Sequence, residues 1–90
     1  MENKIKQPIF LGGFTGVVKN ENYKTCGQNF YRLVFACERN DDSHFGFEVA
    51  SISVKAEVYN EFYTKVKPNT NVNAKVLYVR GGWVLIDYNL

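Results

Sequence analysis

Ninety residues with a formal net charge of +2 leave room for one domain and no second. That balance excludes a strongly basic arm, and with it tight duplex binding by phosphate neutralisation alone. Hydrophobic residues make up 46% of the chain and aromatic residues 16%, which fits a globular protein and argues against a disordered chain. The seven Phe, six Tyr and one Trp are more rings than so small a core needs, so some are expected to face outward.

Residues 1–8 are polar up to Pro8 and are expected to form a flexible lead-in to a single domain over 1–90. They carry no signal-peptide pattern, and no apolar run reaches the roughly 18–20 residues that span a bilayer. A cytoplasmic location without membrane contact is the expectation. Ile9-Phe10-Leu11 then opens an apolar stretch broken by Gly12-Gly13 and resumed at Phe14. Alternation from Phe14 to Lys19 reads as a strand, with the glycines forming either a bulge or an ordinary turn. The polar stretch from Asn20 to Asn29 reads as a hairpin loop.

Phe30 to Glu38 is the clearest strand, with Tyr31, Leu33, Phe35 and Cys37 on one face and Phe30, Arg32, Val34 and Ala36 on the other. Residues 39–44 form a loop by composition. Phe45 to Ile52 is a third strand. Val54 to Val66 then changes period: Val58, Phe62 and Val66 recur every four positions, which is helical spacing. Ser53 is the expected N-cap, and Pro68-Asn69 ends the helix. A fourth strand alternates from Val72 to Val79. Gly81-Gly82 suits a two-residue turn, and Trp83 to Tyr88 returns as the fifth. Cys26 lies in a polar loop and Cys37 in an apolar strand. Neither that spacing nor the single His suggests a disulfide, a metal or a cofactor.

Three strands, a helix and two strands resemble the element order of the OB-fold, a five-stranded barrel with one helix between strands 3 and 4. From Phe14 to Tyr88 the chain is similar to small OB-fold single-stranded-DNA-binding proteins of phages, plasmids and other mobile elements. The resemblance rests on element order, on the helix position and on the hairpin from Val76 to Ile86, not on a sequence motif. It implies binding of single-stranded DNA with little sequence preference, in replication or recombination of a mobile element, with RNA as a close variant. A replication protein is an implied further partner, and the chain is expected as monomer or homodimer. Bacterial single-stranded-DNA-binding proteins carry an acidic C-terminal tail and extra length for tetramer contacts; neither matches this sequence, so their hub behaviour and tetramerisation are not expected.

An OB-fold binds along the outer face of strands 2 and 3 and its flanking loops. Mapped onto this chain, that surface takes in Lys19, Tyr23 and Lys24 around the first loop. It adds Phe30 and Arg32 on the second strand, Arg39, His44 and Phe45 around the next loop, and Arg80 and Trp83 in the last hairpin. Rings stack bases and cations track phosphates. Each residue has a plainer reading. Phe30 and Phe45 could close the edges of the core, Trp83 could cap the barrel end, and Arg32 could pair with Glu48 across the strands. Arg39 could pair with Asp41 or Asp42. His44 has no neighbouring nucleophile, and no serine lies in an elbow sequence, so no enzymatic activity is expected. The competing reading is a protein-interaction adaptor or inhibitor on the same scaffold, favoured by low net charge and outward apolar residues.

Overall fold

In the computed structural model, which describes residues 7–19 and 27–90, the core gathers around Phe62. Its ring is fully buried and meets Phe10, Phe35 and Tyr88 at centroid distances of 5.3, 5.8 and 5.1 Å. Phe62 sits on helix α1, Ala56–Lys65, between strand β3, Phe45–Ser53, and strand β4, Thr70–Asn71. Val58 and Val66 flank it, half-buried against the same core, so the four-residue repeat does mark the inward stripe. The helix starts later than its pattern. Its N-cap is Lys55, which makes no side-chain cap bond, and Ser53 is instead the last residue of β3. Glu57 in the first turn and Lys65 in the last complement the helix dipole.

Strand β1, Ile9–Lys19, and strand β2, Gly27–Asn40, form a long antiparallel pair, and β3 lies on the other side of β2. The pairing of β1 slips between Phe10 and Gly12, leaving Leu11 as the extra residue, with Gly12 at φ 143°. Gly12-Gly13 is therefore a bulge and not a turn, and β1 runs through it unbroken. At Gly13 a Cβ would stand 2.9 Å from the Tyr59 ring, so only glycine lets the helix settle on this strand. β3 covers β2 only from Arg32 onward. Beyond it β1 and β2 continue as a two-stranded ribbon. The elongation shows in a radius of gyration of 15.2 Å, against about 12 Å for a compact chain of this length.

The first sheet has the order β3-β2-β1-β4. Val72 extends the β4 pairing through its N–H to the Pro8 carbonyl, at 3.0 Å. The chain then passes into strand β5, Asn73–Val79, which forms a second sheet with strand β6, Gly82–Asn89. Ala74, Val76, Trp83, Leu85 and Tyr88 turn inward onto the core. β3 and β6 approach each other, but no ladder joins them among the described residues, so the two antiparallel sheets do not close into a barrel. The fold is mostly β with one helix. Among the described residues no helix is long and apolar enough to cross a membrane.

The last turn lies one residue earlier than the Gly-Gly pair suggests. Val79 pairs with Gly82, so Arg80 and Gly81 are the central residues, at φ 50° and 79°. A type I′ turn needs positive φ at both places, and a side chain as large as arginine adopts it at a cost of roughly 1 kcal/mol. Arg80→Asn is expected to raise stability by about 0.5–1 kcal/mol, because Asn tolerates the left-handed region. Urea unfolding measures it. An unchanged or lower midpoint would mean that the turn carries no such strain.

Candidate nucleic-acid interface

Register fixes which side chains share the outward face of β1, β2 and β3. Phe14 lies opposite Arg32, Gly16 opposite Phe30, and Gly12 opposite Val34. On the other side Val34 faces Ser51, Ala36 faces Val49, and Glu38 faces Phe47. Alternation adds Phe45 and Val18 to this face. Phe30 is half-buried. Its ring lies over Gly16, where a Cβ would come within 2.5 Å of it, and it meets Phe14 edge-on at 6.1 Å. That contact holds Phe30 in place with Phe14 exposed beside it. Across the sheet Phe47 and Val49 are 55% and 63% exposed, and Phe45 is 93% exposed. These are large apolar areas to leave in water, and an exposed row of them marks a contact surface.

Arg32 stands within this row. Its Nη1 donates to Ser51 Oγ at 3.4 Å, a long bond to a neutral acceptor, and not to Glu48. Glu48 is taken by Arg39. Arg39 Nη1 donates to Glu48 Oε2 at 2.9 Å and Nε to Asp41 Oδ2 at 2.6 Å, while the guanidinium lies 5.1 Å from the Tyr78 ring centre. Tyr78 in turn meets Trp83 edge-to-face at 5.3 Å. Arg39 is thus a clamp between the β2–β3 loop and the β5–β6 hairpin, with two carboxylates sharing its one positive charge. Glu48 and then Asp41 hold its proton more firmly than usual. Asp41 is held well below the usual carboxylate range by Arg39 first and then by bonds from Ser43.

The ten residues singled out in the sequence therefore separate. Phe30 and Arg32 share the outward sheet face, and Phe45 lies at its far end. Arg39 and Trp83 belong to the clamp, where Trp83 is half-buried against the core with its indole N–H enclosed and unbonded. His44 is half-buried as well, with Nε2 enclosed and its carbonyl accepting from the Asp41 N–H at 2.9 Å. Arg80 is exposed at the hairpin tip. Tyr23 and Lys24 lie outside the described residues, as does Cys26, and of Lys19 only the backbone is described.

Sequence reasoning missed Phe14, Phe47 and Val49 on the sheet face and Tyr78 in the clamp. The signal for Phe47 and Val49 was present: Ala50 and Ile52 make the buried face of β3, so this strand is apolar on both sides. Phe14 could not have been placed opposite Arg32 without the Leu11 bulge, which sets the phase of β1.

No protein-family model, no curated protein and no solved structure matches the chain. Chemically the outward sheet face offers flat apolar rings spread along antiparallel strands, with one guanidinium among them and the Glu38 carboxylate at one end. Such a surface can stack planar groups; it holds no cluster of three or more His, Cys, Asp or Glu among the described residues.

On the inward side, Cys37 lines a cleft of about 760 Å³ with Pro8, Val76, Trp83 and Tyr88. Burial, with a smaller contribution from the Glu48 charge, pushes its thiol up to about 11. A raised folded-state value means that the thiol stabilises the fold below the ordinary thiol range and that this contribution is lost as pH rises towards 11. Since the thiolate is the nucleophile, Cys37 is expected to resist iodoacetamide at pH near 8 and to react once the chain is unfolded in urea. Peptide mapping reads the two conditions, and rapid native labelling at Cys37 would overturn the assignment.

Proposed function

We propose that this chain is an open OB-type barrel that binds single-stranded nucleic acid, DNA in the first instance, and catalyses no reaction. The architectural part is supported by the order β3-β2-β1-β4, by β4 running on into β5, by β6 lying beside β3, and by the helix between β3 and β4. A ladder between β3 and β6 is the step that would close such a barrel.

The observation that carries the functional part is the row of outward rings, Phe14, Phe30, Phe47 and Phe45, on three adjacent strands with Arg32 among them. Bases stack on such rings for about 1–3 kcal/mol each without regard to sequence, and guanidinium groups follow the phosphates. Arg80 supports the same reading. A strained backbone that a smaller residue would relieve is reason to look for a use of its side chain, and the exposed hairpin tip flanks the barrel surface. A role in replication or recombination of a mobile element belongs to the same proposal.

The second reading, a protein-interaction adaptor, is favoured by one observation: Glu38 stands beside Phe47 on this face, and cations are few. The test is fluorescence anisotropy of labelled oligo(dT), duplex DNA and single-stranded RNA at low and high salt. Binding to the single strand that weakens as salt rises supports the proposal. An absence of binding to every probe at tens of micromolar leaves the adaptor. Binding to RNA but not to oligo(dT) moves the proposal to RNA.

A further inference from the structure

We infer that the outer face of the β5–β6 hairpin is a contact between two copies of this chain. This surface is turned away from the core on the second sheet, and it carries Leu77 and Val79 on β5 and Val84 and Ile86 on β6, all exposed. Leu77 lies directly opposite Val84. A bulge follows, because Val76 pairs with Leu85 and Lys75 with Asp87, and Ile86 is left unopposed. That slip keeps Leu85 and Tyr88 half-buried against the core while Ile86 and Asp87 both stand exposed. The face is thus an aliphatic patch with no outward ring, ended by one Lys–Asp pair.

Two features select a second copy as the occupant. First, the charges on the face cancel, so phosphates gain nothing there. Second, the patch is its own complement. With two hairpins laid face to face about a two-fold axis parallel to the strands, β5 of one copy lies over β6 of the other at the same height. Because Lys75 and Asp87 are directly opposite in the ladder, Lys75 then meets Asp87 of the second copy, and Leu77 meets Val84, twice over. An isologous contact requires such self-matching. Asp87 already accepts its neighbour's backbone N–H, from Tyr88 at 2.9 Å, which fixes the carboxylate and leaves it acceptor capacity for a lysine. The area sets the strength. Four half-exposed aliphatic side chains supply on the order of 300 Å² per copy, below the roughly 800 Å² of a stable dimer, so the association is weak, with Kd of about 10–500 µM.

The contact does not rest on the nucleic-acid reading, since it uses the opposite sheet. The experiment is sedimentation velocity of the full chain from about 5 to 500 µM, a range that brackets the expected Kd. Lys75→Asp and Asp87→Lys are then run separately and as an equimolar mixture, with circular dichroism to verify the fold. The wild type is expected to shift towards dimer as concentration rises. Each single variant, which places like charges together twice, is expected to self-associate at least about tenfold more weakly. In the mixture every intermolecular pair is opposite in sign again, although the pair within each chain remains broken, so dimerisation returns. Val84→Lys, which leaves the charged pair intact, is also expected to stay monomeric. A wild type that remains monomeric throughout the range overturns the inference, and so does a mixture no tighter than its components. Phe47→Ala leaves the dimer unchanged, so a failure of nucleic-acid binding and a failure of this contact are told apart.

Discussion

Phe47→Ala is expected to weaken binding of the chain to oligo(dT) by about 5- to 150-fold, the equivalent of losing one base stack of roughly 1–3 kcal/mol. Phe47 is suited to the test because it is 55% exposed on β3 opposite Glu38 and is absent from the buried core. Truncating it therefore removes contact area without opening a cavity, and stability should move by less than about 0.5 kcal/mol. Arg32→Ala is the companion. It should lower affinity less at high salt than at low salt, and flatten the dependence of log K on log salt by about 0.7, the share of one phosphate contact to a single strand. Anisotropy titrations at three salt concentrations read both numbers. If Phe47→Ala binds as the wild type does, the ring row is not the interface. A salt slope unchanged in Arg32→Ala would remove the guanidinium from it.

Phe62→Ala is expected to cost about 3–5 kcal/mol. The ring is fully buried and touches rings from β1, β2 and β6 at once, so nothing can collapse into the space without moving both sheets. A domain of this size has on the order of 5–13 kcal/mol to lose. Urea unfolding followed by circular dichroism should show a midpoint near half that of the wild type or lower. A loss under about 1 kcal/mol would mean that α1 is not docked through this ring. The pair of outcomes for Phe47 and Phe62 separates the two uses of phenylalanine in this chain.

That separation was only partly legible in the sequence. The helix stripe is local information, and four-residue recurrence identified Phe62 with its flanks. The inward face of β2 followed from alternation in the same way, because Leu33, Phe35 and Cys37 lie on one uninterrupted strand. What failed to read was anything set by a slip of register. The Leu11 bulge decides which residues of β1 share a face with Arg32, and the bulge at Ile86 decides which residues of β6 turn out. Neither leaves a periodic trace. The closing turn was misplaced by one residue because Gly-Gly offers two positions, and the pairing of Val79 with Gly82 selects the one that forces Arg80 to positive φ. Arg39 was a matter of partners. Glu48 comes from β3 and Tyr78 from β5, and separation along the chain says nothing about that meeting. The face matters as well: Glu48 stands opposite Cys37 on the inward side of the sheet, where Arg39 reaches it, while Arg32 points outward.

The seam between β3 and β6 bears on how the chain ages in solution. Among the described residues no ladder pairs the outer edge of β3 from Phe45 to Ser53, although β6 approaches it, and every second residue there keeps an amide and a carbonyl outside any ladder. Its nine residues contain no proline and a single charge, Glu48. Glu48 is engaged with Arg39, so the one charged residue of the strand is tied to a guanidinium. Gly46, at φ 109°, is the remaining obstacle, since it bends the edge at its start. The same segment that carries the exposed Phe45, Phe47 and Val49 thus keeps an edge to which a further strand could add.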